Sequence, residues 1–266
     1  MQNPESAEWQ APPPPEKIAP AEEPQMSELA TIGNIFFEPG RTFEDLKRKP
    51  RFVIGAIIIC LLVTAYSFGL YYKIGDSGVR SFIAEQIDKN PNASSMTGEQ
   101  KTKAIDMQMT IQKVVRFVMP LFVFASLLIG GLLYWAGAKA FGGTGGFLHA
   151  LSVWVYSSLP PAIVGMIANF IVMAIKSADD IDMAQSQRGV IHANLGFLFD
   201  GKAMPVLTTL IGTIDVFYIW GWILAAIGLR ITNRLSTGSA WTIVFILALV
   251  GTMFRVVSAY FSGNPV

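Results

Sequence analysis

The stretch "IFFEPGRTFEDLKRKPRF", residues 35–52, runs directly into "VIGAIIICLLVTAYSFGLYY", residues 53–72. Here a basic cluster, Arg41, Lys47, Arg48, Lys49 and Arg51, abuts an apolar run without a charged side chain. A cleaved signal, a nucleic-acid arm and a membrane anchor compete as readings. A secretory signal places its apolar region within about the first 30 residues and ends at a small-residue cleavage site. In this chain the run begins only at Val53, and no such site follows. At 1.5 Å per residue, Val53 to Tyr72 covers roughly 30 Å, the thickness of the hydrocarbon core. The run reads as a transmembrane helix, and the basic cluster marks the side on which its N-terminal end lies.

Four more apolar stretches of spanning length follow, at residues 114–136, 150–175, 205–229 and 241–261. The chain is 52% hydrophobic and 15% charged, against about 25% charged residues in a soluble domain. A net charge of +1 offers no general attraction to nucleic acid. The expected fold is an all-α integral membrane protein with five transmembrane helices. With the N-terminus inside, the inner face collects the Arg41 to Arg51 cluster, then Lys139, then Arg230 and Arg234, while the outer loops are longer and of mixed sign. The positive-inside rule then predicts a cytoplasmic N-terminus and a C-terminus outside.

Residues 1–30, rich in Pro, Glu and Ala, bury almost nothing and are expected to form a disordered cytoplasmic tail of polyproline character. Residues 31–262 form the membrane domain. At its start Thr42 is positioned to cap a short helix, with Asp45 reaching back and Phe36, Phe37, Phe43 and Leu46 supplying apolar contacts. That helix is expected to lie on the membrane surface, aromatics in the headgroup region and basic side chains near anionic lipid. Pro50 separates it from the first span. In the first outer loop, "TGEQ" at residues 97–100 is a capping-box pattern, so the helix of the second span starts beyond the bilayer. Together with "VRSFIAEQIDKN", residues 79–90, it predicts a helical hairpin resting on the outer face.

Chemistry is sparse. "GDSG" at residues 75–78 resembles a serine-protease nucleophile segment, but a histidine base is needed, and of His149 and His192 the topology puts only His192 on the side of Ser77. The segment reads as a flexible exit from the first span. "FGGTGG" at residues 141–146 matches neither the dinucleotide fingerprint nor the lysine-bearing phosphate loop, and reads as a flexible turn. One cysteine, Cys60, and two separated histidines assemble no soft-ligand metal site, and neither metal nor cofactor is expected.

Two charges fall well inside spans, and such residues are functional candidates. On the helical rise Asp215 is expected roughly 15 Å and Arg255 roughly 9 Å from the outer ends of the fourth and fifth spans. Pairing across adjacent helices is one reading, since an isolated charge at a helix centre costs about 2.5–3.5 kcal/mol. The other has Arg255 reaching outward and Asp215 bonded to a hydroxyl or water. Pro160 and Pro161 are expected to break the third span with a kink or a short unwound segment, because each removes a backbone donor and clashes with the preceding turn. Ser126 with Gly130, and Gly221 with Ala225, have the small-residue spacing of close helix contacts.

The order of "FFEPGRTFEDLKRKPRF", "GGTGGFLHALSVWVYSSLPPAIVGMI" and "DVFYIWGWILAAIGLRITNRLSTGSAWTIVFI" across five spans resembles the Yip-one domain family, the Ypt/Rab-interacting membrane proteins, over roughly residues 30–260. The "DLYGP" segment of eukaryotic members has no counterpart, so the likeness is to the bacterial branch, and binding of Rab GTPases is not carried over. The resemblance implies a polytopic, non-enzymatic protein with a cytosolic N-terminus in a bacterial inner membrane. The expected function is that of an adaptor or scaffold in contact with the lipid bilayer and other membrane or cytoplasmic proteins, with self-association left open and no nucleic-acid partner. The alternative is a small-solute or ion permease using Asp215, Arg255 and the break at Pro160 and Pro161.

Overall fold

The computed structural model describes residues 23–265 apart from Arg188, His192 and Lys202. The first 22 of the 30 residues expected to form the tail, and the histidine weighed for protease chemistry, lie outside these residues. Among the described residues every regular element is helical: α1 (Glu28–Phe37), α2 (Pro39–Arg48), α3 (Val53–Asp88), α4 (Gly98–Ala140), α5 (Phe147–Ile175), the single turn α6 (Met183–Ser186), α7 (Pro205–Gly212), α8 (Val216–Thr232) and α9 (Thr237–Ser262). The expected tail boundary moves back, because Met26 is already buried and Ser27 caps α1 through the Ala30 amide.

Helices α3, α4, α5 and α9 are each long and apolar enough to cross a bilayer, and the pair α7 and α8, bent by 43°, passes the same test when taken together as one span. Only 22–28% of the apolar window in each of the four unbroken spans is buried within the protein. The remainder carries side chains such as Leu61, Phe117, Leu121 and Phe254, all more than half exposed, which is the surface a membrane solvates. Helix α5 is the exception that organises the bundle. It touches α1, α2, α3, α4 and α8, and after the exposed Leu148 its stretch from Ala150 to Pro160 is largely enclosed, Leu151, Val153, Val155, Tyr156 and Leu159 being at most 1% exposed. A helix apolar all round belongs in a core. Helix α4 reaches it through Gly131, where a Cβ would stand 2.9 Å from the Leu151 Cα. Of the two small-residue pairs, Gly221 and Ala225 face this core, whereas Ser126 is exposed.

At 1.5 Å per residue α3 and α4 measure about 54 and 64 Å, well beyond the ~30 Å of hydrocarbon. Their excess lies at one end as an antiparallel hairpin tied by Arg80 to Asp106 and Lys101 to Asp88, both at 2.7 Å. The expected capping box is formed by Thr97 and Gln100. The hairpin is thus a continuation of two spans. Where α3 leaves the span, Gly75 adopts φ 72°, ψ 173°, a region only glycine enters freely. "GDSG" is therefore a fixed bend rather than a flexible exit.

The opposite end carries the N-terminal arm, α1 and α2. Helix α2 starts at Pro39 and not at Thr42, whose hydroxyl donates to the Glu38 carbonyl at 3.1 Å inside the helix. It does not lie free on a membrane surface. Phe43 and Leu46 are fully buried, Phe43 seated against α8 where Gly228 leaves room: a Cβ there would be 2.8 Å from the ring. Phe36 stacks edge-on against Trp220 at 6.0 Å, and of the aromatics expected at the headgroups Phe37 remains outside, 85% exposed together with Leu29 at 79%.

Candidate functional site

The basic cluster of the opening stretch divides. Arg41 and Lys47 make exposed pairs with Glu38 and Glu44 at 3.2 and 3.4 Å, and Lys49 is exposed. Arg51 turns inward. Its guanidinium binds the Asp45 carboxylate, donates to the Met26 carbonyl and the Thr31 hydroxyl at 2.8 Å each, and lies 3.8 Å from Glu28. Asp45 is 2% exposed and also accepts from the Gln25 amide. Arg51 therefore holds the start of α1, the body of α2 and the entry to α3 together, instead of contacting lipid headgroups as the charge pattern suggested. Arg48 is likewise engaged within the protein.

Beside this lock the loop after α4 docks onto the C-terminus of α8. The Thr144 amide donates to the Asn233 carbonyl at 3.1 Å, Asn233 is fully buried, and a Cβ on Gly145 would stand 2.5 Å from its side-chain nitrogen. The "GGTGG" run is glycine-rich for this close approach, not for flexibility. The His149 ring, 3.1 Å from the Lys47 carbonyl, closes the same end. His149 and Ser77 thus lie at opposite ends of the bundle.

Asp215 and Arg255 line one cavity but do not pair. Asp215 caps α8, accepting from the Phe217 amide at 2.8 Å and from the Asn194 side chain at 3.0 Å. Arg255 lies over the Tyr218 ring, 4.6 Å from its centroid, and donates to the phenol oxygen at 2.5 Å. At Pro160 and Pro161 there is no unwound segment, since α5 continues through both prolines, and an interruption that the sequence reading did not expect lies at Thr213 to Asp215. Missing proline donors leave a carbonyl such as that of Ser157 without its helical partner, and Gly221 of α8 comes close to it, a Cβ there standing 3.5 Å from that oxygen. At Asp215 the carboxylate instead competes for the backbone amide and starts a new helix.

Depth also changes. The arm-side ends of α4, α5, α8 and α9 are gathered by the contacts just described and by Gly137 against Ile243. Counted from there at 1.5 Å per residue, Asp215 lies about 27 Å away, Arg255 about 29 Å, and Asn169 and Arg116 about 35 Å. A hydrocarbon core is ~30 Å thick. On a core that begins at the arm-side helix ends, these polar groups fall at its hairpin-side boundary.

Around them described residues of the chain between α6 and α7 fold inward. Asn169 donates to the Gly165 carbonyl at 2.8 Å and accepts from the Ile191 amide at 2.9 Å, and the Val216 amide donates to the Ala193 carbonyl at 3.2 Å. Between this loop, α5, α8 and α9 lies the cavity, about 1130 Å³ in volume. Sequence reasoning missed Asn194 and Tyr218, which carry no local signal, and Arg116, which did: a third charge inside an apolar stretch. Arg116 is 7% exposed with Tyr71 3.6 Å and Phe68 5.9 Å from its guanidinium carbon.

The model of the Yip1 domain matches residues 33–259. "Membrane protein YknW" of Bacillus subtilis is 30% identical over 134 residues, which are 50% of this chain and 53% of that protein. The match thus spans about half the length of this curated relative. No solved structure matches. An all-helical bundle with a lipid-solvated surface, matched from just inside α1 to the end of α9, leaves one assignment: the chain belongs to the Yip1 domain family and is a multi-pass integral membrane protein.

Proposed function

We propose that the chain is a non-enzymatic adaptor in a bacterial cytoplasmic membrane, its N-terminus on the cytoplasmic side and residues 1–22 available to a partner protein. The observation that carries this reading is the Arg51 lock: a buried, multiply bonded guanidinium fixes α1 and α2 to the bundle, so any segment preceding Glu23 leaves from a fixed point beside the membrane. Fixing a linker's origin raises the effective concentration of whatever it holds. The short basic loops on the arm side favour the cytoplasmic orientation, and the bacterial relative supports the location.

The test is a crosslinked pull-down from native membranes in polymer nanodiscs, comparing the full chain with one lacking residues 1–22. A stoichiometric protein captured by the full chain and lost with the deletion is expected. Equal capture by both chains, or none by either, overturns the role of the tail.

A further inference from the structure

The cavity between α5, α8 and α9 has no part in an adaptor's work on the arm side, and its shape is specific. Its lining runs from Val244 to Ser262 along α9, about 27 Å at the helical rise. The lower stretch, from Val244 to Arg255, is about 16 Å, half of the ~30 Å hydrocarbon core and so the depth of one leaflet. Trp154, Trp222, Val244 and Leu247 line that lower part, and Asn169, Asp215, Arg255 and Ser258 line the upper part. The charged lining residues, Asp200, Asp215 and Arg255, belong to the hairpin side, while Ser157, Ser158 and Tyr134 share the lower part with the apolar groups. At about 1130 Å³ the space exceeds the 300–1,000 Å³ typical of small-molecule pockets.

Among the described residues the charged lining consists of two acids, Asp200 and Asp215, and one base, Arg255. Tyr218 lies one helical turn beyond Asp215 and carries Arg255 on its ring, so acid and base flank the same opening. Arg255 keeps guanidinium donors beyond the one given to Tyr218, and a guanidinium fork matches phosphate geometry. The Asp215 carboxylate, with one donor on each oxygen, has acceptor capacity left. We infer that the cavity is a site for one phospholipid of the hairpin-side leaflet with a zwitterionic amine headgroup, its phosphate on Arg255, its ammonium on Asp215 and its acyl chains between α5, α8 and α9. A purely anionic headgroup fits less well, because it leaves the Asp215 charge unmatched and adds another of the same sign.

The test is native mass spectrometry of the full chain, delipidated in detergent and titrated with dioleoyl-phosphatidylethanolamine or dioleoyl-phosphatidylglycerol. One phosphatidylethanolamine adduct that survives collisional activation is expected, with phosphatidylglycerol retained at least tenfold less. Arg255→Gln lowers retention at least tenfold. Asp215→Asn, which keeps the helix cap, removes the preference between the two lipids. Ala248→Trp fills the groove and abolishes the adduct while helix content by circular dichroism stays unchanged. Equal retention of both lipids by the parent chain, an adduct that persists in Arg255→Gln or Ala248→Trp, or a thermal shift with soluble phosphoethanolamine but no lipid adduct would each overturn the assignment.

Discussion

Replacing Arg51 with methionine keeps most of the side-chain stem and removes the charge and donors at the centre of the N-terminal arm. Four groups lose the guanidinium at once: Asp45, Glu28, the Met26 carbonyl and the Thr31 hydroxyl. Asp45 decides the magnitude, being 2% exposed and left as an uncompensated carboxylate, a change that costs about 3–5 kcal/mol. That is two to three and a half decades in an opening equilibrium, at about 1.4 kcal/mol per decade. Because the five spans are held by contacts elsewhere, the cost is expected as detachment of α1 and α2 and not as loss of the bundle. Hydrogen exchange in nanodiscs reads it directly: amides of α1 and α2 exchange at least a hundredfold faster, while those of α5 are unchanged. Adding Asp45→Asn removes the stranded charge, so the double variant regains at least about 1 kcal/mol, as contacting residues do not add independently. Exchange in α2 accelerated less than tenfold by Arg51→Met, or single losses that simply sum in the double variant, would refute the buried lock.

Three further outcomes are expected. Gly131→Ala places a Cβ 2.9 Å from the Leu151 Cα and, as overpacking against backbone, costs about 1–3 kcal/mol, read as a lower midpoint of thermal unfolding in nanodiscs. Asp215→Ala loses the cap on the Phe217 amide and is less stable than Asp215→Asn by about 1 kcal/mol, visible as faster exchange confined to the first turn of α8. In a Cys60→Ser background, a thiol at Lys49 is shielded from an impermeant maleimide added to spheroplasts and one at Lys103 is labelled; the reverse pattern overturns the proposed orientation.

Membrane class, the five apolar segments and the capping box at Thr97 were legible in the sequence because hydropathy and capping are local properties of consecutive residues. A run of about 20 uncharged apolar residues has one stable solvent wherever it sits. The partners of the charged groups were not legible. Arg51 reads as one more basic residue beside a span until α1 folds back and brings Met26 and Thr31 to it, and Asp215 stays open between an ion pair and a local hydroxyl or water until the loop brings Asn194 to it. The interruption before Val216 was missed for the same reason. Two prolines are a strong local signal for a break, yet α5 is enclosed by five neighbours that hold it helical, while Asp215 finds in its own backbone a donor that ends one helix and starts another. Local sequence fixed where the chain enters lipid, and tertiary packing decided which donor meets which acceptor, since a charge in a low-dielectric surround takes the partner that the surrounding helices bring within reach.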